Sequence, residues 1–206
     1  KCWFVLNTHN QRQFSTVMGN TMDNSNEIRN VLKTITEDNL SYNIRYSNPE
    51  DFEQVFEIWC KNQKYSIKSD IFNNIKNIKH EFKINYDSQD NNFKFWIAEY
   101  KDKVIGFQSI NRCNTNPLLK NEYAESSTYV DEKFWNYKVG YNLMKICLEE
   151  LPHTSIKRFI GKVITTNINA ITIVEKLGFV KIGIIPETIK KIKRKETFLY
   201  LYNVPE

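Results

Sequence analysis

The stretch that decides the fold is residues 124–179, which read AESSTYVDEKFWNYKVGYNLMKICLEELPHTSIKRFIGKVITTNINAITIVEKLGF. A strand-like run opens it, and a turn ending at Gly140 leads into a helix. Apolar residues recur in that helix at helical spacing: Val139, Leu143, Ile146 and Cys147. A second strand at residues 158–164 precedes a helix at residues 167–177, which Gly178 ends as a C-terminal cap. Strands alternating with helices in this way predict a mixed α/β arrangement around one sheet.

Two motifs in this stretch resemble a known family. The strand carries Glu125, Ser126, Ser127, Thr128, Tyr129, Val130 and Asp131, and the second helix carries Asn167, Ala170, Lys176, Gly178 and Phe179. Together with Gly140 in the turn, they resemble the GCN5-related N-acetyltransferases (GNAT), especially the phosphinothricin acetyltransferase-like branch. The resemblance implies an α/β (α+β) fold with a single mixed, mostly antiparallel sheet flanked by helices.

The chain departs from the family pattern at four positions. Trp135 stands where the family has Arg or Gln, and Asn136 and Lys138 replace two usual glycines of the turn. Val174 replaces the Tyr or His that many relatives use as a general acid. Tyr137, Tyr141, Tyr200 and Tyr202 are alternative acids, although no spacing selects one of them.

The resemblance implies acetyl-CoA as the co-substrate. A helix N-terminus after a turn is a ready anion site, because free backbone N–H groups and the helix dipole converge there. By resemblance this turn holds the pyrophosphate, and the strand end and the second helix hold the pantetheine arm. The implied cofactor-binding residues are Tyr129, Val130, Tyr137, Lys138, Val139, Gly140, Tyr141 and Asn167. Lys138 could compensate for the lost glycines as a positive charge beside the phosphates.

Glu125 is the candidate catalytic residue. It matches the carboxylate position of the family's central strand, and an acid within a Ser/Thr/Tyr/Val run is unfavourable when buried unless it is paired or useful. Its expected role is to receive the proton of the attacking amine. The alternative is a structural salt bridge or an exposed strand face.

The rest of the chain predicts one domain with an extension. We expect residues 1–43 to form an N-terminal extension with one short helix at residues 26–35, and residues 44–206 to form the GNAT-like domain. Pro49 follows a candidate N-cap, Asn48, and starts a helix that runs to about residue 59. A second helix is predicted at residues 69–82.

Composition limits the classes of function. The chain has 206 residues, 41% of them hydrophobic, and a net charge of +5, which favours a soluble, cytoplasmic protein that binds neither membrane nor nucleic acid. Basic residues cluster only near residues 190–195, where a solvated hairpin is the simpler interpretation. The four cysteines and three histidines lack metal-ligand spacing, so we expect reduced thiols and no metal. Edge strands near the C-terminus leave a homodimer open.

Two functions remain after these exclusions. The first is an N-acetyltransferase that moves an acetyl group from acetyl-CoA to a primary amine of a small molecule such as an amino sugar, an amino acid or a polyamine. The second is a catalytically degenerate module of the same fold that binds acyl-CoA or a protein partner. The losses at Trp135, Asn136, Lys138 and Val174 support the second.

Overall fold

The computed structural model describes residues 30–66, 75–114, 116–187 and 195–205. Within these residues, eight strands form one sheet: β1 (Val31–Glu37), β2 (Leu40–Tyr46), β3 (Phe95–Tyr100), β4 (Lys103–Arg112), β5 (Tyr123–Val130), β6 (Arg158–Ile164), β7 (Val180–Ile185) and β8 (Thr197–Asn203). The same residues contain four α-helices: α1 (Phe52–Ser66), α2 (Ile75–Asp87), α3 (Val139–Glu150) and α4 (Ile168–Lys176).

The strand order in the sheet is β1-β2-β3-β4-β5-β6-β8-β7. Strands β5 and β6 form a parallel pair, and the other neighbouring strands are antiparallel. The crossover between β5 and β6 is α3, as a parallel connection requires. The prediction of a single mixed, mostly antiparallel sheet flanked by helices is therefore confirmed.

Helices cover both faces of the sheet. Alternation along each strand sends one set of side chains to α3 and α4 and the other set to α1 and α2. The larger core lies under α3, where Leu143 and Cys147 are fully buried with Phe159 of β6. The smaller core lies under α1 and α2 and takes its strand residues from β3 and β4, with Tyr129 of β5 at its edge. The middle of the sheet is thus buried on both faces.

Local sequence signals explain several boundaries. The Asn48 side chain accepts hydrogen bonds from the backbone N–H groups of Glu50 and Asp51, and the Asp51 carboxylate accepts one from Asn48 in return. Pro49 stands at the first position of this short 3-10 turn, directly before α1. Gly178 has φ +89° after α4, which confirms its predicted role as a cap that needs the left-handed region.

The helix predicted at residues 26–35 is wrong over its described part. Residues 31–37 form strand β1, which pairs with β2 through a tight turn at Asp38 and Asn39. Both turn residues have positive φ, 46° and 68°, as a two-residue hairpin demands. The β-branched run around Ile35 favours a strand, and pairing with β2 overrides the helical spacing. The predicted domain boundary at residues 43 and 44 falls inside β2.

Some predictions lie partly outside the described residues. These are the remainder of the N-terminal extension, residues 1–29, the beginning of the predicted second helix, residues 69–74, and most of the basic cluster near the C-terminus. The second helix continues to Asp87, five residues beyond the predicted end. Within the described residues, no helix is long and apolar enough to cross a membrane.

Candidate active site

The two parallel strands separate halfway along their length. The ladder of β5 and β6 runs from Tyr123 opposite Arg158 to Ser126 opposite Gly161 and ends there. Each strand nevertheless stays paired with its other neighbour to its last residue. The separation therefore leaves a wedge-shaped gap between residues 127–130 of β5 and residues 162–164 of β6.

Backbone polar groups of β5 point into this gap. The Asp131 N–H donates to the Ile105 carbonyl, so the backbone groups of Asp131 face β4. Residues of an antiparallel pair alternate in the direction of their backbone groups, so those of Thr128 and Val130 face the gap. The gap can therefore offer hydrogen bonds to an extended ligand that carries amides.

The turn after β5 leads to the N-terminus of α3. A 3-10 turn spans Glu132–Tyr137, and Lys138 follows with φ 52° in the left-handed region, where the family has glycine. Lys138 is also the N-cap of α3, and its side chain makes no capping hydrogen bond. The first N–H groups of a helix have no partner within the helix, so those of α3 are available to an anion.

Side chains, rather than glycines, fasten this turn to α1. The Val130 carbonyl accepts a hydrogen bond from Trp135 Nε1 at 3.0 Å and another from Asn62 Nδ2 at 3.2 Å. The Trp135 ring also contacts the Tyr65 ring of α1, with centroids 5.2 Å apart. The Tyr65 hydroxyl in turn donates to Glu132 at 2.9 Å. Two donors occupy both lone pairs of the Val130 carbonyl, so only its N–H remains for a ligand.

Strand β2 and the β1–β2 turn support the phosphate-type turn from the other side. The buried Tyr42 hydroxyl donates to the Tyr137 carbonyl at 3.4 Å and accepts from Asn142 Nδ2 at 2.9 Å. Lys138 Nζ lies 2.6 Å from Glu37 Oε2, and this hydrogen bond lowers the pKa of the Glu37 carboxyl. Lys138 is thus already neutralised in part, which weakens the compensation expected of it.

The other predicted cofactor residues differ in what they can offer. Val139 is fully buried in the core, so only its backbone is available. A Cβ added to Gly140 would meet Val130 and Thr128 side chains at ordinary distances, 3.5 and 3.7 Å, so packing within the chain does not itself require glycine there. Tyr141 is half-buried at the N-terminus of α3, beneath Lys176, whose Nζ is 5.3 Å from the ring centroid.

Asn167 and Tyr129 lie beside the gap, and both have structural roles. Asn167 caps α4, its Oδ1 accepting the Ala170 N–H at 3.1 Å. Its amide nitrogen can still donate to a ligand. Tyr129 packs against Phe107, with ring centroids 5.3 Å apart. Their predicted contacts with the pantetheine arm remain predictions.

Glu125 lies on the opposite face of the sheet from α3 and forms an ion pair. Its Oε2 is 2.5 Å from Lys162 Nζ of β6, and the two side chains are 27% and 39% exposed. Directly opposite residues of paired strands share a face, and Glu125 lies opposite Asn111 of β4 and Ile160 of β6. The Glu125 carboxylate therefore stands at the base of the gap, on the face that α1 and α2 cover over β3, β4 and the Tyr129 end of β5.

The residues that share this face of the sheet around the ion pair form what we call the acceptor face. On the β4 side, Asn111 Nδ2 donates to the hydroxyls of Ser109 and Ser127 at 3.0 and 3.1 Å. On the β8 side, the pairing register places apolar residues: Ile160, Leu199, Leu201 and Val180. Of these, Val180 is 61% exposed. The acceptor face is thus polar on one side of Glu125 and apolar on the other.

The position where the family has its general acid, and two of the alternative tyrosines, lie in or against the core. Val174 is buried in the core of α4, and the neighbouring Glu175 accepts a hydrogen bond from the Tyr200 hydroxyl at 2.8 Å. Burial, and then the hydrogen bond to Glu175, raise the pKa of Tyr200 to about 12. Tyr202 packs on Phe179. Neither tyrosine lies on the acceptor face. Tyr200 is itself part of the core under α3. Tyr202 lies opposite Phe159 in the sheet and therefore shares the face of Phe159, which also belongs to that core.

Sequence reasoning missed Lys162, Asn62 and Tyr42. Lys162 could have been found, since it is an exposed polar residue of β6 between buried Gly161 and Val163. The contacts of Asn62 and Tyr42 join elements about 70 and 95 residues apart, and no local pattern predicts them.

A surface depression lies beside α1, and the described residues contain no cluster that suits a metal ion. A surface depression of about 460 Å³ beside α1, lined by Glu53, Gln54, Phe56, Glu57, Cys60 and Ile75, contains none of the predicted site residues. Among the described residues, no group of three or more His, Cys, Asp or Glu side chains is arranged to hold a metal ion.

The comparison with known families agrees with this geometry. Residues 52–179 match the acetyltransferase (GNAT) family, so the chain belongs to that family. Acetyl-CoA is the family's cofactor, as predicted. Over 87 residues the chain is 33% identical to N-alpha-acetyltransferase 30 of Dictyostelium discoideum. These aligned residues make up 42% of this chain and 46% of that protein. The match thus spans less than half of that relative's length.

Solved structures show the same fold. A Salmonella typhimurium protein solved with its cofactor acetyl-CoA has a TM-score of 0.68 at 16% identity, covering 80% of this chain and 95% of its own. Ribosomal-protein-alanine N-acetyltransferase of Brucella melitensis has a TM-score of 0.66 at 19% identity, covering 79% and 99%. A structure described as a candidate phosphinothricin N-acetyltransferase has a TM-score of 0.64 at 20% identity, covering 80% and 99%. These likenesses concern the fold.

Proposed function

We propose that this chain transfers the acetyl group of acetyl-CoA to a primary amine of a small molecule such as an amino sugar, an amino acid or a polyamine. The observation that carries the proposal is the position of Glu125, a carboxylate at the base of the gap between β5 and β6 and on the acceptor face. Family membership supports acetyl transfer and the cofactor, and the carboxylate supports an amine as the acceptor.

Amide formation begins with loss of a proton from the amine. An aliphatic amine has a pKa near ~10 and is mostly protonated at neutral pH, so it cannot attack a carbonyl. The Glu125 carboxylate would hold the incoming ammonium group and accept one proton, directly or through water. The neutral nitrogen then forms the new bond to the acetyl carbon.

The gap would position the acetyl donor. Acetyl-CoA supplies an activated thioester, and the carbon–sulfur bond breaks as the carbon–nitrogen bond forms. Backbone N–H groups of Thr128 and Val130 would donate to the thioester carbonyl oxygen as negative charge develops there. The N–H groups at the start of α3 would hold the pyrophosphate.

Departure of the thiolate does not require an acid on the enzyme. A thiol has a pKa near ~8.5, so its conjugate base leaves without obligatory protonation. The buried Val174 therefore reduces the expected rate and leaves the reaction itself possible. The nitrogen, positively charged after its attack, loses its second proton to water, and the thiolate takes a proton from water, so the products are the amide and the free thiol.

The test is Glu125→Gln, with Glu122→Gln as the matched control, because Glu122 is exposed just before β5. We expect kcat/KM for amine acetylation to fall by about 100-fold or more in Glu125→Gln, the usual effect of removing a general base. The rise of the thermal midpoint with acetyl-CoA should be the same in both variants. Unchanged kcat/KM would reject Glu125 as the base, whereas no acetylation by the wild type over a broad amine panel would favour the degenerate module.

A second candidate acceptor is the α-amino group of a polypeptide. The similarity to N-alpha-acetyltransferase 30 favours it. The same assay with short peptides of varied first residue separates the two candidates. Higher kcat/KM for peptides than for any small amine would replace the small-molecule acceptor with a polypeptide.

A further inference from the structure

The ion pair between Glu125 and Lys162 presents two opposite charges side by side on the acceptor face. The charged atoms are 2.5 Å apart, and the register confirms that both side chains leave the sheet on the same side. Each of the two charged groups keeps hydrogen-bonding capacity beyond the bond that joins them. A carboxylate has two oxygens and an ammonium group has three donors, so each can bind a second partner.

We propose that Lys162 selects an acceptor whose reactive amine carries an adjacent carboxylate, so that the substrate is an α-amino acid with an apolar side chain. This inference rests on the proposed function, since it names the acceptor of the same site. Lys162 would bind the substrate carboxylate while Glu125 binds the substrate ammonium group. Glu125 is then the base and Lys162 the specificity-determining residue.

The geometry of a zwitterion matches that of the pair. In an α-amino acid, bond lengths hold the nitrogen and the nearest carboxylate oxygen roughly 3 Å apart. A dipole of this length can lie antiparallel to the Glu125–Lys162 pair, with each charge facing its opposite. Charge-assisted hydrogen bonds of this kind are about twice as strong as neutral ones.

The same pair disfavours the other small acceptors. A polyamine brings a second ammonium group, which Lys162 would repel at short distance. An amino sugar lacks a carboxylate and leaves Lys162 with Glu125 alone. Substrate binding must displace water from both half-exposed charges, and only a zwitterion compensates both.

The surroundings of Lys162 indicate an apolar side chain. Lys162 lies opposite Leu199 in the sheet, and Leu201 lies between Ile160 and Val180 in the neighbouring row. These residues are half-buried or exposed, so they can cover an aliphatic group of the substrate. On the other side, Asn111 and the serines it binds would face the polar part.

The experiment compares L-leucine with L-leucinamide and 3-methylbutylamine, which keep the side chain and lose the carboxylate charge. The amide has the less basic amine, near the ~8 of a peptide α-amino group, so intrinsic reactivity favours leucinamide at neutral pH. We expect wild-type kcat/KM to be about tenfold or more higher for leucine nevertheless, the size of a hydrogen bond between charged groups. Lys162→Gln should abolish that preference and Lys162→Arg should retain it.

Lys157→Gln is the matched control, because Lys157 is exposed just before β6, at the end of the strand away from the gap. It should keep the wild-type preference. L-aspartate and L-lysine in the same assay check the apolar patch, and both should be poorer substrates than leucine.

The outcomes separate the inference from the proposed function. If leucinamide is acetylated as well as leucine or better, the role of Lys162 is overturned while acetyl transfer to amines stands, and a polypeptide acceptor gains support. If aspartate or lysine exceeds leucine, the apolar part is overturned. If no amine is acetylated and acetyl-CoA leaves the thermal midpoint unchanged, the proposed function fails and the inference fails with it.

Discussion

The sheet has a closed part, strands β2 to β4, whose residues are mostly buried, and an open part, strands β5 to β8, whose acceptor face is partly exposed. Each part contains oppositely charged side chains that bind one another. In the closed part, Arg45 of β2 binds Asp51 at 2.7 Å and Glu99 of β3 at 2.5 Å, with all three residues buried. In the open part, Glu125 and Lys162 are about one-third exposed. The buried side chains of Arg45, Asp51 and Glu99 are inaccessible to a ligand, whereas Glu125 or Lys162 can exchange its partner for a ligand.

Burial explains the difference. Burial by itself would lower the pKa of Arg45, but its hydrogen bonds to Asp51 and Glu99 outweigh this and raise the pKa above its ordinary value. Removing one member of such a group leaves buried charge uncompensated. A half-exposed pair stabilises the fold by little, so its members are available for function.

The largest expected effect comes from breaking the closed part. Arg45→Met should lower the free energy of unfolding by about 3–5 kcal/mol, because Asp51 and Glu99 keep their buried charges and lose the cation that faces them. Urea unfolding measures this. Lys61→Met is the control, since its ion pair with Glu57 is 56% and 63% exposed, and it should cost about 1 kcal/mol or less. Equal losses in the two variants would contradict the comparison.

The second effect concerns Tyr42, which links β2 of the closed part to α3 and to the turn before it. Tyr42→Phe leaves the buried amide of Asn142 without its acceptor, and we expect a loss of about 1–2 kcal/mol of stability. The turn before α3 also loses a support, so the Kd for acetyl-CoA should rise. Isothermal titration measures the Kd, and pantetheine, which lacks the pyrophosphate, is the control ligand. A rise in Kd that is the same for pantetheine would assign the effect to general destabilisation.

A smaller effect is expected at Trp135. Trp135→Phe keeps the ring near Tyr65 and removes the hydrogen bond to the Val130 carbonyl, where Asn62 remains as a donor. The Kd for acetyl-CoA should rise by about fivefold, corresponding to roughly 1 kcal/mol. A lower Kd would show that the indole obstructs the cofactor, in which case the turn is degraded rather than supported.

The smallest effect sharpens the comparison at the rim of the turn. Glu37→Gln frees Lys138 from its exposed ion pair and should strengthen acetyl-CoA binding by about two- to threefold at low salt, an effect that 0.5 M salt should screen. The hydrogen bond from Lys138 lowers the pKa of Glu37, so this carboxylate stays charged at a lower pH than an ordinary glutamate. The difference in acetyl-CoA affinity between wild type and Glu37→Gln should therefore vanish only as the pH falls through that lowered pKa. Weaker binding by Glu37→Gln would mean that Lys138 does not face the phosphates.

The order of elements from β5 to α4 was predictable because each carries its own local signal. The Asn48 cap and the Gly178 cap both lie where the sequence puts them. Strand β1 was not predictable in this way, because the apolar spacing at residues 28–35 fits a helix. Pairing with β2 makes residues 31–37 a strand. Glu125 was predicted as the base from its motif and stays a prediction, whereas its partner Lys162 was not predicted at all.

The amino-acid sequence by itself determined the family and the cofactor and named Glu125 as the candidate base, because these depend on residue types at fixed spacing along one strand, one turn and one helix. Tertiary structure alone decided how a turn without its glycines is held, through Asn62 and Tyr42, and which cation faces Glu125. These contacts join residues that are distant in the chain. Their geometry depends on strand register and helix packing, which local patterns do not encode.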